Sequence, residues 1–224
     1  MIKIEIKSIF GDVLFSYEKE NNTIKDTVEQ AVKEYANLKF ANLENANLEN
    51  ANLYNANLEY ANLKYANLYN AYFKYANLKH ANLYNANLKH ANLENAKLYN
   101  VNLYNAYLKY ANFENANLEN ANLYNAHLYN ANLKYANLYN ANLKYAKFEN
   151  AKLEYAVIPV FCKWSFGIIS NNKIKIGCKE KTIEEWDLFF KSNETYSTER
   201  NTAEFKQIEA VYLGLKAYLL HLNS

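Results

Sequence analysis

From Ala36 to Tyr155 the chain repeats one five-residue pattern of apolar and polar positions, Ala-Asn-Leu-x-x, without insertion or deletion. These 120 residues make 24 units. The first position is Ala in 23 units and Val101 in the other; the third is Leu in 21 and Phe at Phe73, Phe113 and Phe148. A period of five suits neither a lone α-helix nor a flat strand, whose apolar residues recur near 3.6 and 2.0. Around a helix of 3.6 residues per turn, successive leucines would rotate by about 140° and spread over the whole surface. The pattern therefore predicts a chain that turns once per unit and returns every Ala and Leu to a common interior. The Asn between them points out, because neighbouring extended residues face opposite ways.

The flanking segments carry other periods. Residues 2–17 predict a β-hairpin around Gly11-Asp12, with Ile2, Ile4 and Ile6 on one strand and Val13, Phe15 and Tyr17 on the other. Asp26 or Thr27 can cap a short helix over 28–34 that leads into the first unit. After Tyr155 the repeat fades through Ala156-Val157-Ile158-Pro159. Residues 164–169 and 173–176 predict a second hairpin, turning at Asn171-Asn172. Thr182-Ile183-Glu184-Glu185 reads as a capping box that opens a helix over 183–190. A last helix, about 202–222, carries the apolar stripe Phe205, Ile208, Tyr212, Leu215, Leu219 and Leu222, widened by Val211 and Tyr218. The expected organisation is an N-terminal hairpin and helix cap (1–35), the repeats (36–155), and a C-terminal cap with a hairpin and two helices (156–224). Caps are expected because an open solenoid end exposes core and unpaired strand edges. The last stripe serves either as a lid on the repeats or as a homodimer interface.

A repeat of the form A-(D/N)-L-x-x resembles the pentapeptide-repeat family, and the resemblance covers just over half the chain. It implies an all-β solenoid with small α/β caps. The solenoid is a right-handed quadrilateral β-helix in which four units make one coil of 20 residues, giving about six coils. At a strand spacing of roughly 4.8 Å the rod would be about 29 Å long. A hairpin plus helix ahead of the repeats is similar to N-terminal caps in that family, and members that dimerise often use C-terminal elements. On such a coil the fourth positions stack into columns. One reads Glu44, Lys64, Tyr84, Tyr104, Tyr124, Lys144, and another Tyr54, Lys74, Glu94, Glu114, Lys134, Glu154. Fifth positions align Asn100, Asn120 and Asn140 in one column and Asn85, Asn105 and Asn125 in another. Stacked like residues form aromatic and amide ladders. The outward Tyr84, Tyr104 and Tyr124 are also the candidate partner surface, since exposed Tyr is favoured at interfaces.

Composition changes the picture in three ways. One Pro and four Gly leave few conventional turn formers, so coil stacking itself is expected to make the turns. No apolar run approaches the ~20 residues of a membrane span, and the start, Met1-Ile-Lys-Ile-Glu-Ile-Lys, is unlike a signal peptide. A cytoplasmic protein with reduced thiols is expected, the alternative being a Cys162–Cys178 bridge. Lys-, Asn-, Ile- and Tyr-rich usage fits an AT-rich bacterial or phage genome.

No constellation for catalysis is recognisable: there is no phosphate-binding Gly loop, no paired-His metal motif and no Gly-x-Ser-x-Gly elbow. His80 and His90 fall half a coil apart, His127 takes an outward Asn position in a different coil, and Cys162 and Cys178 lack zinc-ligand spacing. Neither enzyme activity nor a cofactor nor a metal is expected. Charge decides among binding classes. The resemblance brings with it mimicry of duplex DNA by acidic members that bind DNA gyrase. Duplex DNA carries one charge per ~1.7 Å, so a 29 Å rod would need about 17 negative charges. Residues 36–155 instead hold 11 Lys and 8 Glu, a net charge of +3. Every column mixes Lys with Glu or Tyr and none holds Arg, so nucleic acid is not expected either. What remains is a non-enzymatic rigid scaffold with an unidentified protein partner, no membrane association, and homodimerisation through the last helix as an alternative assembly.

Overall fold

The computed structural model describes residues 1–157, 166–170, 172–195, 198, 200 and 202–222. From Asn42 to Asn137 each repeat unit pairs with the residues 20 further on. Parallel bridges join Asn42 to Asn62, Asn62 to Asn82 and onward to Asn137 with Val157, one per unit. At each step two backbone bonds form, as when Leu43 N donates to Asn62 O (2.8 Å) and Asn62 N to Ala41 O (2.9 Å). All first and third positions from Leu38 to Ala141 are buried, while Leu143, Ala146 and Phe148 are partly buried. The period of five thus becomes a filled core.

The turn between units corrects the expectation that stacking alone bends the chain. Every fifth position from Phe40 to Tyr155 has φ between 53° and 63°. The first-position N–H closes the turn onto the preceding third-position carbonyl, as Ala106 N does on Leu103 O (3.0 Å). A positive φ at the third residue only of such a turn is the type II signature. The second-position Asn adds a side-chain bond, as when Tyr104 N donates to Asn102 Oδ1 (3.2 Å). Of the 24 left-handed residues 14 are Asn, which tolerates that region through its short polar side chain. Seven are Tyr, two His and one Phe, for which the left-handed region costs roughly 1–2 kcal/mol.

This difference makes a prediction. Tyr65 (φ 57°) interrupts the Asn run of a fifth-position column that reads Asn45, Tyr65, Asn85, Asn105, Asn125, Tyr145, and its ring meets only the edge of Tyr84 at 5.5 Å. Tyr65→Asn relieves the backbone and extends the amide column. It should raise stability by about 0.5–1 kcal/mol, seen as a higher Tm in a thermal melt; a lower Tm would contradict this.

The N-terminal strands β1 (Ile2–Lys7) and β2 (Val13–Lys19) pair antiparallel, with Ile6 opposite Phe15 and Ile4 opposite Tyr17. Ser8 holds the tight connection, its Oγ accepting from Phe10 N (3.1 Å) and Asp12 N (3.2 Å). The hairpin is stitched to the repeats by Asn42 N to Lys7 O (2.7 Å) and Ile9 N to Phe40 O (2.8 Å). Helix α1 (Ile24–Lys33) begins a turn earlier than residues 28–34: Thr23, not Asp26 or Thr27, is the N-cap, in a capping box with Asp26. Val28 and Ala31 are buried, and Glu29 Oε1 accepts from Asn52 N (2.7 Å), satisfying a donor of the first repeats.

Beyond the repeats the structure holds a three-stranded antiparallel sheet where a hairpin was expected. Strands β3 (Phe166–Ser170), β4 (Lys173–Ile176) and β5 (Lys179–Thr182) lie in sequence order. Glu154 bridges to Ile168, and Tyr155 N donates to Ile168 O, so the sheet continues from the repeats. Helix α2 (Ile183–Lys191) starts at a Thr182–Glu185 capping box, and α3 (Ala203–Leu222) follows. Trp186 is 1% exposed and donates its Nε1–H to Ile174 O (2.8 Å), pinning α2 to β4. Arg200 caps the end of α2, its guanidinium donating to the carbonyls of Phe189 and Phe190. Residue 164 and the proposed turn residue Asn171 lie outside the described residues, as does Cys162; Cys178 is exposed.

Candidate binding surfaces

Tyr84, Tyr104 and Tyr124 come together as a continuous stack. The first pair of rings lies 5.4 Å apart at 17°, the second 4.9 Å at 3°. Tyr65 and Tyr145 close the two ends edge-on, at 5.5 and 5.2 Å. All three rings are half-buried, because each coil's ring covers a face of the next. Beside them runs an amide ladder: Asn102 Nδ2 donates to Asn82 Oδ1 (3.1 Å), Asn122 to Asn102 (3.3 Å) and Asn142 to Asn122 (3.3 Å). At fifth positions Asn140 donates to Asn120 and Asn125 to Asn105, both at 2.7 Å. The rod thus presents side chains on a fixed lattice, one coil spacing apart.

The second fourth-position column is electrostatic. Lys74 pairs with Glu94 (3.0 Å) and Lys134 with Glu154 (3.6 Å). The hydrogen bond to Glu94 holds the Lys74 ammonium above its usual pKa. His80 stacks on Tyr60 at 4.5 Å and His90 on Tyr110 at 4.9 Å, so both rings are engaged in separate aromatic columns. Among the described residues no three His, Cys, Asp or Glu side chains are grouped to hold a metal ion, and no helix is long and apolar enough to cross a membrane. A cleft of about 780 Å³ lies beside α1, lined by Glu29, Tyr35, Asn52 and Tyr54 among others, but its Glu29 already serves the backbone of Asn52.

In α3, Phe205, Ile208, Tyr212 and Leu219 are buried and Leu215 partly so; the side chain of Leu222 lies outside the described residues. Phe190 of α2 stacks on Tyr212 (4.8 Å, 21°) and meets Phe205 at 5.7 Å. The Tyr212 hydroxyl donates to Asp187 Oδ1 (2.7 Å), and Lys216 Nζ reaches both Asp187 oxygens at 2.8 and 2.6 Å. Lys216 and Tyr212 hold the Asp187 carboxyl below its usual range; burial and Asp187 push the Tyr212 phenol well above its own. The stripe is therefore used within the chain, while Leu213 and Leu220, two turns apart, stand 52% exposed.

Reading one column at a time missed a mixed group. Lys89, Tyr107, Lys109, His127, Tyr129 and Asn130 line a cavity of about 390 Å³ on one face of the rod. Its members come from second, fourth and fifth positions of three successive coils. The available signal was the clustering of departures from Asn, at 107, 127 and 147, in a single second-position column.

The sequence matches a family model described as pentapeptide repeats, in eight copies that together run over residues 35–156. Among solved structures it is similar to Rfr23, a pentapeptide-repeat protein from the cyanobacterium Cyanothece, with 39% identity over 39% of this chain and 63% of that one (TM-score 0.31). It is also similar to HetL from the cyanobacterium Nostoc, involved in heterocyst differentiation regulation, with 32% identity over 56% and 65% of the two chains (TM-score 0.23). The chain thus spans a little under two thirds of the length of each. QnrB1, a plasmid-mediated fluoroquinolone resistance protein, matches at 13% identity over 67% of this chain and 84% of that one (TM-score 0.33). No curated protein sequence matches. A family model that spans more than half of the chain, over the same residues whose backbone pairs at intervals of 20, implies a right-handed quadrilateral β-helix, and the protein belongs to the pentapeptide-repeat family.

Proposed function

We propose that this chain is a non-enzymatic, rigid protein-binding scaffold. On this reading residues 36–155 form about six coils, capped by residues 1–35 and 156–224, in the cytoplasm of a bacterium. The observation that carries it is the stacked Tyr84–Tyr104–Tyr124 column. Three phenol groups are held at fixed spacing with their rings already ordered, so binding costs little side-chain entropy. The rod's net charge of +3 favours this over duplex mimicry. A second copy of the chain is the alternative partner, supported by the exposed Leu213 and Leu220 on α3.

The test places a photo-crosslinking residue at Tyr104 in cells of the source organism. A discrete protein adduct is expected, lost when Tyr84 and Tyr124 are both changed to Ser and absent when the crosslinker sits at Tyr139 in a different column. An adduct pattern identical at both positions would contradict this surface.

A further inference from the structure

The second position of the repeat is Asn in 18 of 24 units. Such an Asn makes two bonds: Asn102 accepts from Tyr104 N (3.2 Å) and donates to Asn82 (3.1 Å). In the column Asn47, Asn67, Asn87 the ladder reaches Asn87, which donates to Asn67 at 3.0 Å. The next three coils then carry Tyr107, His127 and Lys147. Each replacement gives up the Asn turn bond and a rung of the ladder, a local loss that three successive coils repeat.

What takes their place is cationic and aromatic. Lys89 Nζ lies 5.5 Å from the centre of the Tyr107 ring, which meets His127 at 5.2 Å; His127 meets Tyr129 at 6.1 Å. Lys89, Tyr107, Lys109 and Lys147 are all exposed. Among the described residues these three lysines enter no ion pair, whereas Lys39, Lys74 and Lys134 of the same rod are each paired with Glu. Burial, then Lys147 and Lys89, hold the His127 imidazole below its usual pKa, so near neutral pH it offers a neutral ring. The fourth-position column reads Glu49, Tyr69, Lys89, Lys109, Tyr129, Glu149. Carboxylates two coils beyond each lysine, roughly 10 Å at the strand spacing, keep the cationic stretch short. A long polyanion would run onto those carboxylates; a small one would not.

We propose that this cavity binds a mononucleotide, its phosphate held between Lys89 and Lys109 and its base lying against Tyr107 and His127. Ammonium groups satisfy phosphate oxygens by charge-assisted hydrogen bonds, and a base stacks on aromatic rings without regard to sequence.

Calorimetric titration of the full chain with AMP, adenosine and inorganic phosphate at low ionic strength tests it. AMP should bind at least about tenfold more tightly than either fragment, as joint stacking and charge contacts require. Changing Lys89 and Lys109 together to Ala should weaken AMP about tenfold or more, while the same change at Lys64 and Lys144, in the Tyr ladder column, should not. The pair Tyr107→Asn and His127→Asn restores the repeat, so it should raise the Tm while abolishing AMP binding. That combination separates a binding role from a packing role. Absence of AMP binding, phosphate binding as tight as AMP, or AMP binding indifferent to the Lys89/Lys109 change would overturn the proposal.

Discussion

Leu103→Asp removes the cooperative folding of the central repeats. Leu103 is completely buried, and its N–H is committed to Asn122 O at 2.8 Å, so the side chain cannot swing out without breaking the coil pairing. Loss of the leucine side chain alone costs about 2–5 kcal/mol, and an unpaired carboxylate in an apolar interior adds several more. Set against a typical total of about 5–15 kcal/mol, that is most of the stability of an ordinary domain. In a solenoid each coil touches only its neighbours, so the damage interrupts the stack rather than being shared across it. Leu103→Ala serves as the graded variant if the Asp form does not accumulate, with a loss of about 2–5 kcal/mol. The adjacent Tyr104→Ala, which gives up two ring stacks but opens no core cavity, should cost only about 1–2 kcal/mol. Thermal melts of the three variants check the order. An unchanged Tm for Leu103→Asp, or a Tyr104→Ala loss as large as that of Leu103→Ala, would place these residues on the wrong sides of the wall.

Trp186→Ala unfolds the C-terminal helices and leaves the repeats folded. Trp186 is 1% exposed, meets Phe189 edge-on at 5.4 Å and lies 6.0 Å from Phe190. Truncating a buried Trp costs about 3–5 kcal/mol. The change also strips the Ile174 carbonyl of its indole donor. Phe190 is the link onward, since it stacks on Tyr212 and meets Phe205, so loss of α2 order carries α3 with it. Limited proteolysis should then cut the variant between α2 and α3 at concentrations that spare the parent, with a protected fragment holding the repeats. Equal resistance of parent and variant would show that Trp186 does not organise this end.

The buried half of the repeat was legible because its signal is apolar and periodic: Ala and Leu recur in every unit, and the core needs nothing else. The length of the coil was not in the period of five, which fixes one turn per unit but not how many turns close; the family resemblance supplied it. The turn was half legible. Asn at fifth positions is the signature of a left-handed residue, but Tyr60, Tyr65, Tyr75 and their like obscured it, since such rings are unusual there; Tyr60 is offset by stacking on Phe40 and His80. Strand β5 escaped notice because Lys-Glu-Lys-Thr has no apolar alternation and takes its extended form by pairing with β4. Helix α1 began early because Asp26 replaces the usual Glu or Gln of a capping box. The Tyr column could be read from spacing by 20, whereas the Lys89–Tyr107–His127 group needed side-chain reach between different positions of successive units.

The most direct test of a near-neutral scaffold against a duplex mimic is a supercoiling assay: purified chain added to DNA gyrase and relaxed plasmid, with and without a quinolone. A rod with net charge +3 should leave supercoiling and drug sensitivity unchanged. Inhibition of gyrase, or protection from the quinolone, at low micromolar concentration would contradict the scaffold account.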